Sequence, residues 1–130
     1  MIPFFTEDQI RRVVSTEDAV HAVRAAFAAD GRGETVVPSV INLPIPNTEG
    51  EFHVKTAYVS GSPVVAVKIA SGFYDNPLRG LPTGSGLMVL FDAETGMPAG
   101  LLTRTGPRRC AEPPASGAGA RAHLSRARPS

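Results

Sequence analysis

The sequence predicts an α+β fold: N-terminal helices followed by a mainly antiparallel or mixed sheet. Two observations carry this. Apolar residues recur at helical spacing between residues 16 and 31. From residue 35 onward the pattern changes to short β-branched and alternating runs, separated by turn residues rather than by helices. Helices first and consecutive strands after them segregate the two element types along the chain, so the helices are expected to cover one face of the sheet.

Each element has its own signal. Thr6 can cap a short helix over "EDQIRRVV", with Glu7 and Asp8 at its positive end. Ser15 and Thr16 can cap the next, "EDAVHAVRAAFAA". Val20, Val23, Ala26 and Phe27 fall on one face of it, and Gly31 is the expected terminating glycine. His21 lies beside that stripe as a helix-surface residue. "TVVPSVINLPI" is extended, and Pro38 restricts it to an edge or a bulge. "GEFHVKTAYVSG" alternates: Phe52, Val54, Thr56 and Tyr58 point one way, His53, Lys55 and Ala57 the other. "PVVAVKIA" and "GLMVLFD" follow. "DAETGMPAGLL" turns through Glu94-Thr95-Gly96 into a last strand.

Composition sets the outer bounds. The chain has 130 residues, 42% hydrophobic and 19% charged, which is globular and enough for one domain. Thirteen Gly and twelve Pro announce many turns. The net charge of +1 hides a division: residues 1–102 sum to −4 and residues 103–130 to +5. The chain therefore divides into a domain over 1–102 and a basic Pro/Arg/Ala-rich tail over 103–130. A single cysteine, Cys110, suits a reducing compartment and excludes an internal disulfide. No run approaches the ~18 apolar residues of a membrane helix, and the acidic "MIPFFTEDQI" is unlike a signal peptide. A cytoplasmic protein with no membrane partner is expected.

The stretch carrying chemistry is "VVAVKIASGFYDNPLRGLPTGSG", residues 64–86. In "VVAVKIA", Val65, Val67 and Ile69 face one side, while Val64, Ala66, Lys68 and Ala70 face the other. Lys68 thus sits among small residues that leave room for an anion outside the chain. A lysine snorkelling at an edge, or paired with Glu51 or Asp92, is the alternative. In the loop that follows, Asn76 is held out of the helical region by Pro77. Gly80, Gly84 and Gly86 permit close approach, with the hydroxyls of Thr83 and Ser85 beside them. "GSG" is a weak phosphate signal because no helix start follows it.

These residues resemble the ornithine cyclodeaminase/mu-crystallin family. The lysine strand, the Asn-Pro loop, "GLPTGSGLMVL" and "DAETGMPAG" occur in the family's order and spacing, and "STEDAVHAVRAAFAADGRGE" looks like its N-terminal helix. The resemblance covers residues 1–102. It implies a homodimer of two-domain subunits: a substrate-binding and dimerisation domain, here in part, and a Rossmann domain holding NAD or NADP. It implies NAD(P)-dependent chemistry on a small amino or imino acid: cyclodeamination of ornithine or a relative, imine reduction or amino-acid dehydrogenation. Lys68 matches the family's substrate-binding lysine and Thr83 its threonine near the nicotinamide. Many members carry an arginine after the first strand's proline as a second carboxylate clamp. Val40 stands near that place here, and Lys55 is the candidate substitute, without the two-pronged guanidinium geometry. Ornithine and a related amino or imino acid therefore both remain open as substrates.

After Leu102 the sequence departs from the family. Arg104-Thr105 comes too soon after Asp92 to be the family's Arg-Thr pair. The codons for Cys110-Ala-Glu-Pro-Pro, read one base earlier, permit Leu-Arg-Arg-Thr-Ala, so an out-of-frame tail is one expectation and a disordered tail the other. "GAGARA", residues 117–122, fits G-x-G-x-x-A but has no strand before it and no helix after it. The tail arginines have no interleaved aromatic residue, which argues against nucleic acid. Cys110 lacks a dependable base, no catalytic residue is assigned, and His21, His53 and His123 show no metal spacing. The expectation is a substrate-domain fragment that is inactive alone and does not bind NAD(P). The alternative is a non-catalytic dimerising or small-ligand-binding module.

Overall fold

The computed structural model describes residues 1–104. Cys110, residues 117–122, His123 and the tail arginines after Arg104 lie outside the described residues. Nine elements run in the order β1 (Phe4–Phe5), α1 (Glu7–Val13), α2 (Thr16–Gly31), β2 (Thr35–Val36), β3 (Ile41–Ile45), β4 (Gly50–Val59), β5 (Val64–Phe73), β6 (Gly84–Asp92) and β7 (Pro98–Arg104). A 3-10 turn over Asn76–Arg79 joins β5 to β6. The α+β expectation holds.

Both helices start where their caps dictate. The Thr6 and Ser15 hydroxyls accept the amides of Gln9 and Asp18 at 3.3 and 3.0 Å, and those two side chains accept the cap amides in return. The Ser15 hydroxyl and amide hold the Asp18 carboxyl below its ordinary range. The backbone and hydroxyl of Thr95 do the same to Asp92, and the Tyr74 hydroxyl and His53 to Glu51. All three carboxyls have a folded value below the unfolded one. Their contribution is therefore complete above about pH 5 and is lost as pH falls through the lowered values. Ser15→Ala is expected to cost about 1 kcal/mol at pH 7. Thermal melts should show that the gap from the parent narrows as pH falls through the lowered value of Asp18.

The end of α2 differs from expectation. Gly31 is the last helical residue, and the left-handed turn belongs to Gly33, at φ +72°. The Arg32 amide already bonds to Ala28 and Ala29, so the reversal comes after it. The apolar stripe is also not covered: Val20, Val23 and Phe27 are 51%, 55% and 76% exposed. Only the C-terminal end of α2 is tied to the sheet, by the Glu34 amide on Ala29 O (2.9 Å) and the Ser60 amide on Glu34 O (2.8 Å). Ala29 is the one fully buried hydrophobic residue among the described residues.

The sheet has seven strands, in the order β1-β7-β6-β5-β4-β2, with β3 also paired to β4. Every pair is antiparallel except β1 with β7, so the sheet is mixed. β2 and β3 share one edge of β4, and the break between them contains Pro38, as its missing N–H requires. The hairpin between β6 and β7 is built by Asp92, whose Oδ1 accepts from the amides of Glu94 (3.0 Å) and Thr95 (2.7 Å) and from the Thr95 hydroxyl (2.8 Å). Gly96 supplies the positive φ of 71°.

Candidate functional site

Register builds the site. Three cross-strand rows lie side by side on one face of the sheet. Glu51 pairs with Gly72, which pairs with Gly84; His53 with Ala70, which pairs with Gly86; Lys55 with Lys68, which pairs with Met88. The middle of this face is glycine and alanine, so the sheet surface is low there. α1 stands over it. A cleft of about 540 Å³ opens between them, lined by Glu7, Ile10 and Arg11 of α1 and by Lys68, Ala70, Gly84 and Gly86 of the sheet. That volume is ample for a small metabolite.

Charges in and beside the cleft are not equivalent. Arg11 is neutralised by Glu7, its guanidinium donating to Oε1 at 2.6 and 3.0 Å one helical turn away. Lys68 lines the cleft and has no acid partner among the described residues. Lys55, directly opposite it in the sheet, has none either. Like charges placed opposite each other in a sheet repel, and both lysines are exposed. The acids that the sequence offered as partners are engaged elsewhere. Asp92 caps its turn, and Glu51 accepts from the Tyr74 hydroxyl at 2.9 Å and lies 3.3 Å from His53 Nε2. The Lys68–Lys55 pair therefore has no acid partner among the described residues.

Thr83 is half-buried just before β6, and its carbonyl accepts the Phe73 amide at 2.8 Å. It adjoins the cleft through Gly84 but does not line it. The 3-10 turn and the Asn76 side chain, which donates to Pro82 O at 2.9 Å, fix the loop that carries it. The lid from α1 was not anticipated, because nothing in "EDQIRRVV" indicates which strand it overlies. Gly84–Gly86 lie inside β6, so no helix N-terminus follows them. That motif therefore offers no helix-borne cradle for a phosphate. The described residues hold no group of three metal-ligating side chains, and no helix among them is long and apolar enough to cross a membrane.

Residues 4–125 match the ornithine cyclodeaminase/mu-crystallin family. The chain belongs to that family. The match runs past Leu102 into the basic segment. An uncharacterized cyclodeaminase of Sinorhizobium fredii is 40% identical over 122 residues, covering 92% of this chain and 37% of that protein. The chain thus spans just over a third of that relative's length. Among solved structures, Δ1-pyrroline-2-carboxylate reductase of Thermococcus litoralis, in complex with NADH and L-proline, superposes with a TM-score of 0.75 at 24% identity. The superposition covers 78% of this chain and 32% of that one. An archaeal alanine dehydrogenase dimer with bound NAD gives 0.73 at 25% identity, covering 78% and 31%. Over that third of their length, both structures share the sheet and helix arrangement found here.

Proposed function

We propose that Lys68 and Lys55 hold the carboxylate of a small amino or imino acid. The protein would act in the NAD(P)-dependent chemistry of its family: cyclodeamination, imine reduction or amino-acid dehydrogenation. One observation carries the proposal: two lysines stand face to face without an acid partner, and one of them lines a cleft floored by small residues. A carboxylate between them relieves their repulsion and receives charge-assisted hydrogen bonds. The family membership supports this reading, as does the L-proline held by the structurally similar reductase. Thr83 is proposed to lie near the nicotinamide, which supplies the hydride chemistry when bound. In this reading the described residues bind and orient the acid.

A cytoplasmic homodimer goes with this reading, the second point supported by the likeness to an alanine dehydrogenase described as a dimer. A second reading is a non-catalytic ligand-binding or dimerising module, for which the cleft alone suffices. Calorimetry tests the proposal. L-proline and L-alanine are expected to bind the 130-residue chain, and their carboxamides to bind at least 10-fold more weakly. Equal binding of acids and amides rejects a carboxylate clamp. NAD-dependent turnover of L-ornithine is expected to be absent for the 130-residue chain, and its appearance rejects the confinement of these residues to substrate binding.

A further inference from the structure

His53 lies one row from the lysine pair, and nothing above gives it a role. It shares the face of Lys55 and Lys68, opposite Ala70, and its row continues to Gly86. It is two residues from Lys55 on the same strand face, about 7 Å along the strand. Its Nε2 lies 3.3 Å from Glu51 Oε1, and Glu51 is anchored by the Tyr74 hydroxyl at 2.9 Å. Tyr74 is in turn fixed by its amide on Glu49 O at 2.9 Å. An ionised carboxylate only accepts hydrogen bonds, so the ring nitrogen facing it is the one bearing hydrogen. In the neutral ring, Nδ1 is then an acceptor. Among the described residues nothing bonds to Nδ1.

We propose that His53, oriented by Glu51, accepts a hydrogen bond at Nδ1 from the nitrogen-bound hydrogen of the acid whose carboxylate sits on Lys68 and Lys55. This rests on the carboxylate reading above. In an α-amino or α-imino acid the nitrogen is one carbon away from the carboxylate. That link, plus two hydrogen bonds of about 2.9 Å, is commensurate with the ~7 Å spacing of residues 53 and 55 along the strand. The small side chains of Ala70 and Gly86 leave the path open. The lysines select a carboxylate. His53 selects, among carboxylates, those with an N–H beside it.

Two planar acids of the same size separate these roles. Pyrrole-2-carboxylate has a ring N–H next to its carboxylate, and furan-2-carboxylate has an oxygen there. By calorimetry at pH 7.5, the 130-residue chain should bind the pyrrole about 5-fold more tightly. His53→Ala should remove the preference while retaining binding of furan-2-carboxylate, which also shows that the variant is folded. Glu51→Gln should reduce the preference, because an amide no longer dictates which ring nitrogen bears hydrogen. Lys68→Met should weaken both acids alike. Equal affinities in the parent chain, or a preference that survives His53→Ala, overturn the role of His53 and leave the carboxylate clamp standing. Failure of both acids to bind rejects the clamp, and the role of His53 falls with it.

Discussion

Lys68→Met is expected to move ligand affinity and stability in opposite directions. With a carboxylate bound, Lys68 contributes a charge-assisted hydrogen bond inside a cleft, and such bonds are worth about 1.5–3 kcal/mol. Losing one should weaken binding of L-proline or pyrrole-2-carboxylate by about 10- to 150-fold. Without ligand, the same change removes a like-charge contact with Lys55, which lies directly opposite. It also leaves an unbranched side chain of similar length on the sheet. The free chain should gain about 0.2–1 kcal/mol in urea unfolding. A lysine that merely snorkels at the surface predicts no change in binding. A lysine paired with an acid predicts a loss of stability. The opposed signs are therefore diagnostic of a site that carries uncompensated charge for the sake of a ligand.

Gly50→Ala is expected to be among the most damaging small substitutions in the sheet. Gly50 is buried and pairs with Phe73. A Cβ placed there would lie inside the Phe73 ring, against its Cδ1, Cε1 and Cζ atoms. Moving the ring aside disturbs its edge-on packing against Phe52, with centroids 5.7 Å apart and planes at 77°. Overpacking of this kind costs about 1–3 kcal/mol. For a chain of this length that lowers the melting temperature by about 4–11 °C. Phe73→Leu in the Gly50→Ala background should recover part of the loss, a coupling expected only if the two positions compete for the same space. An additive double mutant would show that the cost arises elsewhere.

Local signals made most of the fold legible. Caps at Thr6 and Ser15 marked both helix starts, alternation marked β4, and the Asp92–Gly96 turn marked the last hairpin. Two features were not local and could not be read. β1 is two residues long, too short for any periodicity, and exists because Phe4 and Phe5 pair in parallel with Leu101 and Leu102. The exposure of Val20, Val23 and Phe27 contradicts their amphipathic pattern. A helical stripe records that burial is wanted but not what provides it.

The site was legible in part for the same reason. Lys68 among small residues stood out within its own strand. Its confrontation with Lys55 depends on the register between β4 and β5, and the lid of Glu7, Ile10 and Arg11 on where α1 comes to rest. The pairing of Glu51 with His53 and Tyr74, rather than with Lys68, required side-chain positions across 23 residues of sequence.

The most direct test of the account is a crystal structure of the 130-residue chain with pyrrole-2-carboxylate bound. The account predicts the ligand in the cleft beneath α1. A carboxylate oxygen should lie about 2.8 Å from Lys68 Nζ, the Lys55 ammonium should be turned toward the same group, and no protein acid should lie within ion-pair distance of either lysine. A ligand bound elsewhere, or a Lys68 ammonium paired with a carboxylate of the chain, would contradict it.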